Sequence, residues 1–411
     1  MQAKQYYASI ELAEDELRLI VGEFYMSRFN ILKAERVKTS GIEDKKIIDQ
    51  DNVTSAIVKA VDDIEKTLGF RIKSIILCIP SIDVKCIKRR VNIPIEEGSK
   101  RIRFAHARLG VEKAIDTFEM PGYEFVNIGA IKYTNGGISS RMIPIDEQAD
   151  VLTMDIDFIC ANQKTVHSYV TCIESAGISV QDICLDNYAI AEESAIIESS
   201  MNKYVVLLNL EKNTTGFTLF YKGRLLGCEL LNYGYNRIIN IIQRRFQLSY
   251  RESMTLLKES AIYAPKDVND TIVYIWSRND EQYQITRKNI HEAIEEELNS
   301  WIVDINSANE MIAENPASKM VISGTGADIV GLEELSERFN LATSIYLPTT
   351  VGVRKGCYSS ALGAIYCYKK WQELLNIQTT AIDYSSSDDR KLSKDEDNAF
   401  TKKLKKILLN K

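Results

Sequence analysis

The sequence is short of the residues that build metal centres and covalent frameworks. It has 3 histidines, and none of its 8 cysteines forms a CxxC pair or stands at ligand spacing from a histidine, which leaves no metal-binding pattern to pursue. Cys78, Cys160, Cys172 and Cys184 sit among apolar neighbours and read as core thiols of a reducing compartment, not as disulfide partners. Proline is scarce, at 7 residues in 411, and the apolar and charged fractions are those of an ordinary globular chain. A formal net charge of -6 is a poor basis for holding nucleic acid through a long-range field. No apolar run approaches the roughly 20 residues of a membrane-spanning helix, so any membrane contact is expected to be peripheral. The first apolar run, residues 6–10, is followed at once by Glu11, Glu14, Asp15 and Glu16, and a secretory signal is not expected there.

What is present is a pattern of strands and helices that occurs twice, in a chain long enough for two or more domains. Residues 6–32 read as a strand, an acidic turn and further strands, and residues 51–68 as a helix with Val53, Ile57, Val61 and Ile64 on one face. Residues 75–79 form a compact apolar strand closed by Pro80, which together predicts a mixed sheet covered by helices. Between residues 81 and about 153 the texture shifts to strands at 84–93, 125–133 and 139–143 with a helix near 101–118, a small inserted α+β unit. Its basic run of Lys85, Lys88, Arg89, Arg90, Lys100, Arg101, Arg103 and Arg108 is either a solvated face or a contact for an anionic partner. Residues 153–160 read as a return to strand, 164–176 as a helix stopped by Gly177, 180–185 as a strand and 187–199 as a helix.

The second half centres on residues 205–226, a buried strand, a polar turn from Asn209 to Gly216, and a second strand with a Lys222-Gly223 turn. Hydroxyls and backbone amides in that polar turn are suited to an anion, or simply to a turn. Amphipathic helices follow at 236–246 and 250–262, a hairpin at 271–276 and 282–286, and a long helix at 287–313. Then come a strand at Met320, a small-residue turn Gly324-Thr325-Gly326 and a helix through residue 339. Two similar halves facing each other enclose a cleft.

The order of hairpin, inserted unit, AGISVQDICLDNYAIAEESA, second hairpin, Tyr233-Gly234 before a helix, Leu257-Lys258-Glu259, SGTGADIVGLEEL and YSSALGAIYCY resembles the FtsA family of actin-like bacterial cell-division proteins over nearly the whole chain. The resemblance implies an α/β, actin-like (ribonuclease H-like) two-lobed ATPase fold with a small inserted α+β domain. In that scheme residues 1–80 and 154–200 form the first lobe and 81–153 the inserted domain. Residues 201–347 form the second lobe, with a helical subdomain at about 228–315, and 348–377 return to the first. The cleft would take ATP with magnesium, and the family pattern places Asn213, Thr214, Thr215, Gly234, Lys258, Gly324, Thr325 and Gly326 beside the nucleotide. No catalytic residue and no metal ligand is assigned.

Departures from the pattern fall on the phosphate side. Where the family has an Asp, a Gly and small hydroxyls, this chain has Glu11, Ala13, Glu14, Asp15 and Glu16, and its second hairpin carries Asn209, Glu211, Lys212 and Asn213. Carboxylates repel a triphosphate at close range, and Asn209 supplies no charge toward magnesium, so a weak or degenerate site is expected.

At the C-terminus residues 378–398 lack an apolar period and read as a disordered linker. Residues 399–411 then form an amphipathic helix: Phe400, Leu404, Ile407 and Leu408 share one face, and Lys402, Lys403, Lys405 and Lys406 lie opposite or at its borders. That is the form of a helix lying on an anionic membrane. Expected partners are an FtsZ-like filament protein, further copies of the chain, other division proteins and the inner face of the cytoplasmic membrane, with no nucleic acid. Two alternatives remain open. One is an active actin-superfamily ATPase or phosphotransferase with Glu11 or Glu211 as base; the other is a PilM-like pilus-assembly protein that binds a peptide.

Overall fold

In the computed structural model, residues 4–25, 28–96, 98–260, 263, 270–278, 281–375 and 380–383 are described. The amphipathic segment with Phe400, Lys402, Lys403, Leu404, Lys406, Ile407 and Leu408, and nearly all of the linker, lie outside them.

The chain opens with an antiparallel meander of β1 (Gln5–Leu12), β2 (Glu16–Tyr25) and β3 (Arg28–Lys38). β1 and β2 are buried along most of their length, which explains their near-continuous apolar runs. A small hairpin, β4 (Ile42–Glu43) and β5 (Lys46–Ile47), leads into α1 (Gln50–Leu68). Asp49 caps α1 by accepting from the Asn52 amide, and Gly69 ends it at φ 75°, the left-handed conformation that glycine takes without strain. After β6 (Arg71–Ile72), β7 (Ser74–Ile79) lies parallel to β1.

The insertion follows as β8 (Lys85–Pro94), α2 (Phe104–Asp116), β9 (Tyr123–Asn135), β10 (Ile138–Ser140) and β11 (Val151–Asn162). They form a four-stranded sheet in the order β10-β9-β11-β8 with its own apolar core under α2. The strand expected to return the chain to the first lobe near residue 153 is instead β11, a central strand of this inserted sheet. Its alternating buried positions Leu152, Met154, Ile156 and Phe158 face α2 and belong to the insertion's core. The first lobe resumes with α3 (Gln163–Ser175), β12 (Ser179–Leu185), α4 (Asp186–Glu193) and α5 (Ile196–Ser199). The one helix expected over 187–199 is broken at Ala195, whose φ is 55°.

The second lobe repeats the plan with β13 (Val205–Leu210), β14 (Thr215–Tyr221) and β15 (Arg224–Leu231). A helical subdomain is inserted here: α6 (Asn236–Phe246), α7 (Tyr250–Glu259), the hairpin β16 (Ile272–Arg278) and β17 (Glu281–Thr286), α8 (Arg287–Ala308) and α9 (Glu310–Ala313). β18 (Lys319–Ser323) and β19 (Ala342–Ile345) complete the sheet. Between these two strands the expected helix is absent; the chain makes two short 3-10 turns, 325–328 and 332–338. Gly324 at φ 85° and Gly331 at φ 84° lie outside the α-helical region and break the segment at the start of each turn.

α10 (Ser359–Leu375) returns to the first lobe and packs on α4 and β1, with Gly363 directly over the Ala189 carbonyl. β20 (Ile382–Asp383) pairs with β6. The linker therefore begins later than expected: Ala381 and Ile382 are buried, and the Lys73 amide donates to the Ala381 carbonyl at 2.9 Å. The two large sheets have the orders β12-β7-β1-β2-β3 and β15-β14-β13-β18-β19, each with its own apolar core.

Candidate functional site

The two central hairpins bring their turns face to face. Counting outward from the first turn pairs Leu12 with Leu17 and Glu11 with Arg18 across β1 and β2. In the second lobe the β13–β14 turn carries Glu211, Lys212 and Thr214, and β18 runs parallel to β13 so that its end, Gly324-Thr325, lies beside Asn209 and Glu211.

Arg18 fills the space between them, with its side chain 2% exposed. Its Nη1 donates to Glu11 Oε2 at 3.0 Å and its Nε to Glu16 Oε1 at 2.8 Å. Its Nη2 donates to Glu211 Oε2 at 2.8 Å and to the Thr325 hydroxyl at 2.7 Å, both in the second lobe. Glu211 is further held by the Thr325 amide at 3.1 Å and the Thr325 hydroxyl at 2.8 Å. Around this centre the Thr214 hydroxyl donates to Glu14 Oε1 at 3.3 Å, and Lys212 Nζ to Asp15 Oδ2 at 2.9 Å.

The two central carboxylates are not equivalent. Burial disfavours the charge of Glu211, but Arg18 and the Thr325 donor outweigh it and hold the carboxyl below its ordinary value, at about 2. Glu11 receives only one guanidinium N–H, and burial pushes it above the usual carboxylate range. Burial also opposes the charge of Arg18, yet Glu211, Glu11 and Glu16 raise its pKa well above the ordinary arginine value.

A second buried pair lies alongside. Lys45 Nζ comes within 3.5 Å of Asp186 Oδ2, and Asp186 Oδ1 accepts from the Ser81 amide at 2.9 Å and the Ser81 hydroxyl at 2.6 Å. Asn209 Nδ2 donates to Asn187 Oδ1 at 2.9 Å, and Asn187 Nδ2 to the Thr218 hydroxyl at 2.8 Å. Lys45, Ser81, Asp186, Asn187 and Asn209 line a small polar cavity with Gly216 at its wall.

The residues singled out from the sequence are gathered here, and most are engaged within the protein. Thr214 and Thr215 are buried; the Thr215 hydroxyl donates to the Tyr233 carbonyl at 2.6 Å. A Cβ on Gly234 would overlap the Lys212 carbonyl, one on Gly324 the Asn209 side chain, and one on Gly326 Leu210. These glycines therefore serve close packing of three turns on one another. Asn213 is exposed and accepts from Asn236 Nδ2 at 3.0 Å. Lys258 stands at the outer edge, its amine 5.4 Å from the Tyr235 ring centroid and its pKa lowered by burial.

Sequence reasoning passed over Arg18, Lys45 and Asp186. Arg18 had a legible signal: it is the lone cation in the apolar strand β2, and the hairpin register places it opposite Glu11. Lys45 and Asp186 are 141 residues apart, and no local pattern joins them.

No family model matches the chain. It is 22% identical over 381 residues to the cell division protein FtsA of Staphylococcus epidermidis, covering 92% of this chain and 82% of that protein. It is 23% identical over 372 residues to the cell division protein FtsA of Bacillus subtilis, covering 89% and 84%. Among solved structures it resembles a PilM-PilN type IV pilus biogenesis complex, with a TM-score of 0.56, 12% identity and coverage of 88% of this chain and 98% of that one. It also resembles MreB5 of Spiroplasma citri bound to ADP, with a TM-score of 0.53, 9% identity and coverage of 90% and 98%. With its two matching lobes and its inserted domain, the chain has an actin-like fold and is similar along nearly its full length to the FtsA cell-division proteins.

Proposed function

We propose that this protein tethers division filaments of the FtsZ type to the inner face of the cytoplasmic membrane and assembles into actin-like filaments of its own, with its cleft serving as a structural joint and not as a nucleotide switch. The observation that carries this reading is similarity to FtsA relatives across 92% of the chain. The amphipathic pattern of residues 400–408 supplies the membrane part.

Physical chemistry makes one tail a weak anchor. Each apolar side chain is worth roughly 1.5–3 kcal/mol when fully buried, and each lysine about 1 kcal/mol near an anionic leaflet. Ordering a short segment into a helix offsets much of that gain. Several tails on one filament bind through effective concentration, so assembly would control membrane residence. Removing residues 400–411 should abolish co-sedimentation with vesicles of anionic phospholipid while leaving FtsZ-filament binding intact; undiminished sedimentation overturns the tether.

For the cleft, the fit to magnesium and a triphosphate is poor. The hydroxyls of Thr214 and Thr215 are committed to Glu14 and to the Tyr233 carbonyl, and the carboxylates of Glu11 and Glu211 surround Arg18. Those two acids were the only sequence candidates for a general base, and both are bonded to the guanidinium, which argues against a phosphotransferase. Equilibrium titration should detect no ATP binding in the presence of magnesium.

A further inference from the structure

We propose that Arg18 and its partners form an intramolecular latch that joins the two lobes in place of a bound ligand. This rests on the reading of the cleft as a structural joint. The contacts run in both directions: the first lobe gives a cation, Arg18, to Glu211 of the second, and an anion, Asp15, to Lys212. Thr325 and Thr214 add hydroxyl bridges to Arg18 and Glu14. One guanidinium thus gathers carboxylates and a hydroxyl from opposite lobes, the task a metal ion performs when it bridges acidic groups.

Burial makes this a latch and not a surface contact. Arg18 and Glu211 have side chains only 2% and 7% exposed. Drawing the lobes apart would break the two charge-assisted hydrogen bonds between Arg18 and Glu211 and the one from Arg18 to Thr325. The backbone is shaped for the same approach: a Cβ on Gly356, in the segment returning to the first lobe, would collide with the Gly324 carbonyl of the second. The relation between the lobes is therefore written into the sequence, and a filament built from this chain would not depend on nucleotide to set it.

Hydrogen–deuterium exchange of the full chain tests the latch at two amides. Ala13 donates to the Glu16 carbonyl and Glu211 to the Thr214 carbonyl, each at 3.0 Å, one in each lobe. Thr325→Val removes the second-lobe hydroxyl with little change of volume; Arg18→Lys keeps the charge and loses the fork. With the latch, both variants remain folded by circular dichroism and exchange Ala13 at least about tenfold faster than wild type, since a hydrogen bond to a charged group is lost. Acceleration at Glu211 alone, or at neither amide, overturns the latch. Wild-type exchange should be the same with and without magnesium-ATP. Protection of these amides by magnesium-ATP overturns the reading of the cleft, and if the variants leave Ala13 unchanged as well, the latch falls with it.

Discussion

The two large sheets have the same strand order and the same parallel pair at their centres, β1 with β7 and β13 with β18, yet the hairpins beside those pairs carry different chemistry. In the first lobe the pair next to the turn-closing leucines is Glu11 opposite Arg18; in the second, Asn209 stands opposite Gly216 and Leu210 opposite Thr215. The apolar alternation that builds each sheet is kept in both lobes while the turns diverge. A buried turn must only satisfy its polar groups, and here part of that is done across the cleft, Arg18 bonding to Glu211 and Thr214 to Glu14. If so, the cleft and the cores should respond differently to substitution.

The largest effect is expected from Arg18→Ala, which leaves Glu11 and Glu211 buried without their cation. Loss of one partner of a buried pair costs about 3–5 kcal/mol, read as a fall in the midpoint of chemical denaturation. A loss below about 1 kcal/mol would place the cluster among solvated surface pairs and erase the distinction between cleft and surface. Next comes Gly363→Ala, in the first-lobe core. Its Cβ would meet the Ala189 carbonyl, which is backbone and cannot swing aside, so overpacking should cost about 1–3 kcal/mol. This loss should be the same at low and high salt, because no charge is involved.

The sheets were legible because apolar strands and helix faces carry their own period; β1, β7, α1 and β13 fall where that period puts them. The 3-10 turns after β18 were not, since Ile329, Leu332 and Leu335 are buried at spacings that also suit a helix. The inserted sheet was bounded too early because β11 alternates like any half-buried strand, and alternation does not say which sheet a strand joins. The site was half legible. The acidic turn and the altered second turn stood out as departures, but the significance of Arg18 depended on Glu211, 193 residues away.

A smaller effect belongs to another contact between the lobes. Glu193, at the end of α4, lies beside Tyr346, and burial, only partly offset by the Tyr346 hydroxyl, raises its carboxyl from 4.5 to about 7. The folded protein therefore keeps a proton that the unfolded chain has released. Its contribution is fully present below 4.5 and is lost as pH rises through about 7. Glu193→Gln mimics the protonated form and should leave thermal stability unchanged at pH 4.5, while raising it by roughly 1–2 kcal/mol at pH 8. Stabilisation at both pH values would trace the gain to something other than this proton.

The smallest effect should come from the pair nearest the largest one. Lys212 and Asp15 join the same two turns as Arg18 and Glu211, at a similar 2.9 Å, but their side chains are 21% and 47% exposed. Water and salt screen such a pair, and its worth is about 0–1 kcal/mol. Lys212→Ala should cost no more than about that, with part of the loss due to the lysine ammonium over the Tyr250 ring. Both pairs cross the same cleft, and they differ in burial and in the guanidinium fork, which meets both oxygens of Glu211. A double-mutant cycle on each pair measures what the buried fork adds: strong coupling for Arg18 with Glu211 and near zero for Lys212 with Asp15. Equal coupling would show that the turns are held together by their net charge, wherever it sits, and not by the desolvated guanidinium at their centre.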